Sequence, residues 1–184
     1  MDDVQKPDEW LMLQVSRGRN DCLATLLRRH ADGLFTFIFR MIGRRHRAEE
    51  LFQEVFLLVF NRRNLYEYPR PFRPWLYAIA ANACRADFRK AAPGSVPLEE
   101  FGPAAPESSE PTPDEAAERN EQAALVVEAV TQLPSQQRLV VVLRVWNQLS
   151  YNDIAAVAGC SEATARSHMH AALAGLRKLL EMRL

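Results

Sequence analysis

Cysteine is scarce in this chain. Cys22, Cys84 and Cys160 are the three in 184 residues, they stand far apart, and none belongs to a Cys-X-X-Cys pair. An odd, scattered set argues against a disulfide framework or a local zinc site and reads as buried free thiols. No run of 18 apolar residues occurs, so no membrane-spanning helix is expected. The acidic start, Met1 to Glu9, lacks an apolar signal core and is not expected to direct secretion. The histidines are four; His30 and His46 show no metal-ligand spacing and read as surface or packing residues. Strand-like alternation, internal repeats and heptad arrays are missing as well.

A net charge of zero conceals strong segregation. Residues 17–90 carry 15 basic and seven acidic side chains, whereas residues 91–121 carry one Arg and eight acids. A basic front half suits a polyanion such as nucleic acid. An acidic middle would avoid DNA or compete with it for a basic channel.

Helical period fills most of the rest. Trp10 to Val15 reads as a short helix ending near Gly18. Asp21 is placed to cap a second, whose stripe of Leu23, Leu26, Leu27, Leu34, Phe37, Ile38 and Met41 stops at Gly43. A third, Ala48 to Phe60, is apolar around much of its circumference and is expected to be central. Asn61 to Arg73 reads as a loop, and Pro74 as the opening of a fourth helix that runs to about Lys90. Six prolines between 93 and 113, among Gly, Ser and Glu, mark an acidic linker unable to bury enough apolar surface to order itself. Helical signals resume at Asp114, and Pro134 opens a further helix. The expected fold is all-α: two small helical domains, 8–92 and 114–184, joined by an acidic Pro-rich linker over 93–113.

The most specific local pattern runs from Leu149 to Ser167. Ser150 is placed to cap one helix, with Asp153 three residues on and able to reach back to the cap amide. Gly159 suits the turn, and Ser161 is placed to cap a second helix. That helix would turn Glu162, Thr164, Arg166, Ser167, His168 and His170 outward. Such a helix-turn-helix can enter the major groove and read base edges. Upstream, Arg62, Arg63, Arg70 and Arg73 interleave with Tyr66, Tyr68, Phe72, Trp75 and Tyr77. Cations that track phosphates beside rings that stack on bases suit single-stranded DNA.

Three motifs lie in order: Ala48-Glu49-Glu50-Leu51-Phe52-Gln53-Glu54-Val55-Phe56; Phe72-Arg73-Pro74-Trp75-Leu76 through Asn82 to Asp87-Phe88-Arg89; and Leu133-Pro134-Ser135-Gln136-Gln137-Arg138 before the helix-turn-helix. Together they resemble the bacterial RNA polymerase sigma factors of the extracytoplasmic function group, from about Trp10 to Lys178 without the linker. The resemblance implies a region 2 domain and a region 4 domain in a non-enzymatic initiation factor that needs no metal and no cofactor. It implies that Glu49, Glu50, Gln53, Glu54 and Leu57 dock on core RNA polymerase. It places Arg62, Arg63, Tyr66, Arg73, Asn82, Arg85, Arg89 and Lys90 at the promoter −10 element, with Tyr66 and Asn82 at the pocket for a flipped base. It places Arg144, Thr164, Arg166, Ser167, His168 and His170 at the −35 element. His168 and Ala171 stand where the family commonly has Arg, which predicts weak isolated −35 binding. The linker is implied to thread the polymerase, its acids mimicking nucleic acid. An anti-sigma factor is a further implied partner, able to hold this cytoplasmic, otherwise nucleoid-associated protein at the inner membrane without the chain itself inserting. A helix-turn-helix repressor, a nucleic-acid enzyme using the Glu49, Glu50 and Glu54 cluster, and a pure interaction protein remain as alternatives.

Overall fold

The computed structural model describes residues 5–90 and 125–181. The linker over 93–113, and the start of the helix expected from Asp114, lie outside the described residues. Those described form α1 (Asp8–Ser16), α2 (Asp21–Ile42), α3 (Arg45–Asn61), a 3-10 turn (Arg63–Leu65), α4 (Phe72–Lys90), α5 (125–131), α6 (Ser135–Val141), α7 (Tyr151–Ala158) and α8 (Glu162–Glu181). Among them there is no strand, and no helix is long and apolar enough to cross a membrane.

The apolar stripes explain the packing of the first four helices. Leu26, Leu34, Phe37, Ile38 and Met41 of α2 face Leu51, Val55 and Val59 of α3 and Leu76, Ile79 and Ala80 of α4, all nearly inaccessible to water. Each such side chain contributes about 1.5–3 kcal/mol on burial. Helix α2 stops where expected: Gly43 takes a left-handed φ of 77° and its N–H returns to Phe39 O. Its start differs, since Asn20 holds the cap position without a side-chain bond and Asp21 instead pairs with Arg19. Helix α4 begins at Phe72, two residues before the proline expected to open it, because the Glu9 carboxylate on α1 accepts the Phe72 N–H at 3.1 Å. That cap comes from 63 residues away and no local pattern announces it.

The second half does not hang free of the first. A single apolar core runs through both, taking in Leu139 to Leu143 and Ile154 alongside the α2 and α4 side chains. Helix α6 continues as a π-helical turn over Val142–Trp146, and this turn packs on α2 while α7 packs on α4. Polar contacts stitch the seam. Arg138 donates to Met41 O at 2.6 Å, and also to Thr131 O and Leu133 O. Met41 lies in the last turn of α2, where carbonyls lack helical partners and favour a cation. Among the described residues no carboxylate pairs with Arg138, and burial pulls its pKa down to about 10. The Arg40 guanidinium lies 4.4 Å over the Trp146 ring, its pKa likewise lowered to about 10 by burial. The two helical domains are those expected from the sequence, and their packing adds a buried interface between them.

Candidate nucleic-acid interface

Helix α3 buries Ala48, Leu51, Val55 and Val59 along one stripe, which turns Glu49, Glu50, Gln53, Glu54 and Leu57 to solvent. Leu57 is 64% exposed. Arg47 organises the acids. Its Nη1 donates to Glu50 at 2.7 Å and Glu54 at 3.1 Å, while Nε donates to Asp87 on α4 at 2.7 Å. The bond from Arg47 holds the Glu50 carboxyl below the usual carboxylate range. Arg45 pairs with Glu49 at 3.1 Å. The face is therefore acidic and pre-ordered around one bare apolar residue.

The loop after α3 is folded by its own rings. Tyr66 is 7% exposed; its ring meets Trp75 at 5.3 Å and Phe72 at 6.2 Å, and its hydroxyl donates to Arg70 O. Burial, aided by the charges of Glu9 and Asp8, pushes its pKa up to about 12. The position expected to offer a free stacking ring thus spends that ring on packing. Tyr68 is 52% and Leu65 71% exposed in the same loop. Which ring of this loop is buried follows from the contacts of Tyr66 with Phe72 and Trp75. Arg62 is exposed, and Arg63 donates to Phe60 O while lying 4.3 Å over the Phe60 ring. Arg73 points the other way and donates to Asn147 O in the second half at 2.6 Å.

Farther along α4, Asn82, Arg85 and Arg89 recur at helical spacing on one side. Arg85 donates to Asn82 Oδ1 at 2.8 Å, and Arg89 and Lys90 stand exposed in the last turn. The structure brings these four residues together and leaves Arg73 apart from them.

The helix-turn-helix forms as its residues dictate. Ser150 Oγ accepts the Asp153 N–H at 3.1 Å and donates to the Asp153 carboxylate at 2.6 Å. The carboxylate thus meets the cap hydroxyl rather than the cap amide. Gly159 takes φ 70°. Ser161 Oγ accepts the Thr164 N–H at 3.1 Å, and the two hydroxyls lie 2.8 Å apart. Each such cap stabilises its helix by about 1 kcal/mol. Ala165, Met169 and Ala172 are buried, which leaves Glu162, Thr164, Arg166, Ser167 and His170 exposed and His168 half-buried. The Arg166 guanidinium lies 4.3 Å over the Tyr151 ring, and the Arg144 guanidinium 5.1 Å from the same ring. Arg144 also donates to Leu149 O at 2.9 Å. Tyr151 thus serves both cations, a role that the sequence pattern did not disclose.

Comparison with known proteins agrees with this arrangement. Residues 26–93 match the sigma-70 region 2 family and residues 123–176 the sigma-70 region 4 family. RNA polymerase sigma factor CarQ of Myxococcus xanthus is 33% identical over 163 residues, covering 89% of this chain and 91% of CarQ. The chain belongs to the sigma-70 family. Sigma factor SigW of Bacillus subtilis, of the extracytoplasmic function group, is 26% identical over 91% of this chain and 93% of its own length. The solved structure of CnrH in complex with the cytosolic domain of CnrY shares the fold, with a TM-score of 0.72 and 23% identity over 95% of this chain and 97% of that one. This sigma factor of the extracytoplasmic function group directs RNA polymerase to promoters for transcription initiation, in a family whose work is non-catalytic.

Proposed function

We propose that the sigma factor divides its work among three surfaces. The α3 face of Glu49, Glu50, Gln53, Glu54 and Leu57 docks on core RNA polymerase. The loop around Tyr68, shaped from within by Tyr66, engages the −10 element together with Asn82, Arg85, Arg89, Lys90, Arg62 and Arg63. Helix α8, through Arg166, Ser167, Thr164 and the histidines His168 and His170, reads the −35 element, with Arg144 at a phosphate. The observation that carries this is the sorting of charge. The exposed face of α3 is acidic and surrounds a bare leucine, suited to a protein interface with an apolar centre and polar rim. The end of α4 and the outward side of α8 carry the solvent-exposed cations that phosphates and base edges require.

The two elements are named for positions about 25 base pairs apart, about 85 Å of duplex, whereas α7 packs against α4. The halves therefore part as a promoter is engaged, and Arg73 exchanges Asn147 O for DNA. A partner that grips both halves keeps them together. The CnrH structure is a complex with the cytosolic domain of CnrY, and an anti-sigma factor that grips this chain in the cytoplasm would act in this way. The chain performs no catalysis of its own.

The test is transcription in vitro with purified chain and sigma-free core polymerase on sheared genomic DNA, with 5′ ends mapped. Discrete chain-dependent starts that share two upstream elements are expected. Absence of polymerase binding overturns the docking surface. Binding without starts overturns the assignment of the DNA-reading surfaces.

A further inference from the structure

The recognition helix opens with a carboxylate aimed at its own principal cation. Glu162 is the first residue of α8, and its Oε1 accepts both Nε at 3.2 Å and Nη2 at 2.5 Å of Arg166, one turn on. The pair is open to solvent, Arg166 at 56% and Glu162 at 46% exposure. An exposed pair of this spacing does little for the fold. Its effect is on what Arg166 can still bind. A guanidinium carries five N–H donors in a planar fork. Glu162 occupies the edge formed by Nε and Nη2, and the Tyr151 ring fixes the plane from one side. The two terminal nitrogens, Nη1 and Nη2, keep a pair of parallel donors that point along the side chain. That is the arrangement which grips O6 and N7 of guanine. The edge already filled is one of the two through which a guanidinium can grip a backbone phosphate in a bidentate contact.

We propose that Glu162 is a specificity-determining positioning residue: by occupying the inner edge of Arg166 against Tyr151, it denies that edge to phosphate and presents the remaining one to a guanine of the −35 element. This rests on the reading of α8 as the −35 surface. It assigns Glu162 a role acting through Arg166, with no base contact of its own. A carboxylate at this place lowers total affinity, because it repels phosphates, while raising discrimination between sequences. A merely structural ion pair would share the repulsion but would not raise discrimination.

The experiment uses holoenzyme reconstituted from the full chain and core polymerase, with selection of binding sites from DNA randomised across the −35 region, followed by affinities at several salt concentrations. Wild type is expected to prefer guanine at one position by about 10-fold or more, within the range of a good bidentate contact. Arg166→Ala removes that preference. Glu162→Ala is expected to lower it to about threefold or less, to tighten binding to unrelated DNA, and to steepen the slope of log affinity against log salt by about 0.9, the signature of one added phosphate contact. Glu162→Gln, which keeps an acceptor without the charge, restores part of the guanine preference. Unchanged discrimination in Glu162→Ala, with the preference still lost in Arg166→Ala, overturns the role of Glu162 and leaves α8 as the −35 surface. If Arg166→Ala also keeps the wild-type preference, the reading of α8 fails and the proposal with it.

Discussion

The side-chain amide of Asn147 donates to the Tyr77 hydroxyl at 2.7 Å, across the boundary between the two halves of the chain. The same amide nitrogen donates to Gly33 O at 3.1 Å, so α2, α4 and the π-helical turn meet at one polar point. Asn147 is 4% exposed. Gly33 makes the approach possible, since a Cβ there would come within 3.2 Å of the Tyr77 hydroxyl. A buried polar contact of this kind specifies one docking geometry more than it adds stability.

Asn147→Ala should therefore destabilise the compact form by about 1–3 kcal/mol, because it leaves the Tyr77 hydroxyl and the Gly33 carbonyl without this donor. Hydrogen exchange should show faster opening along the seam while the α2–α3 packing stays protected. Unchanged exchange at Gly33 and Tyr77 would mean that the seam is held elsewhere.

Tyr66 and Tyr68 should separate cleanly. Tyr66→Ala removes a buried ring and should cost about 3–5 kcal/mol in stability, read as a large fall in Tm. Tyr68→Ala should leave Tm unchanged and weaken promoter opening, by about 1–3 kcal/mol if the ring stacks on a base. Permanganate footprinting of the open complex distinguishes the two. A promoter defect in Tyr68→Ala equal to zero removes this ring from the −10 surface.

Acid should loosen the contact between α1 and α2. Burial raises the pKa of the Asp8 carboxyl, but hydrogen bonds from His30 and Arg29 outweigh it, and the result lies below the ordinary 3.8. A carboxylate with a depressed folded pKa contributes stability above its unfolded value, and this is lost as pH falls through the folded pKa. Tm should therefore drop below about pH 4, and Asp8→Asn should be less stable than wild type at neutral pH and should flatten that acid limb. Parallel acid limbs in the two proteins would exclude Asp8 as the source.

On α3, Leu57→Ala should weaken core polymerase binding by about 1–2 kcal/mol, as expected for an apolar anchor at an interface centre, with no loss of Tm because the side chain is exposed. Gln53→Ala combined with Glu54→Ala should act in the same direction. Fluorescence anisotropy with labelled sigma factor measures both. A fall in Tm without a fall in affinity would assign these residues to the fold.

Thiol chemistry should report burial. Cys84 is fully buried, and burial pushes its pKa up to about 12, so it should resist alkylation in the native state, whereas the partly exposed Cys160 should react first. Peptide mapping after brief iodoacetamide treatment settles the order.

Much of this was legible in the chain. The α2 stripe and its Gly43 stop, the Ser150 and Ser161 caps and the outward set on α8 follow from residues within one or two turns of each other. So does the acidic outer face of α3, because a continuous buried stripe leaves only one side for solvent. The local pattern did not disclose that Tyr66 is buried while Tyr68 is exposed. Tyr66 and Tyr68 have the same chemistry two residues apart, and only the positions of Phe72 and Trp75 decide which is buried. It also missed Tyr151 as a shared post for Arg144 and Arg166, since stacking depends on how α7 crosses α8.

The sequence by itself determined the helices, the caps of α7 and α8, the segregation of charge and the family, because these depend on periodicity, short-range hydrogen bonds and motif order. The tertiary structure alone decided which cations reach solvent. Arg166, Arg89 and Lys90 stand at the surface, while Arg138 is committed to Met41 O and Arg73 to Asn147 O, 97 and 74 residues away. An arginine reads the same in a sequence whether it faces a phosphate or a carbonyl. Its partner is chosen by the packing of distant helices, and no local spacing encodes that choice.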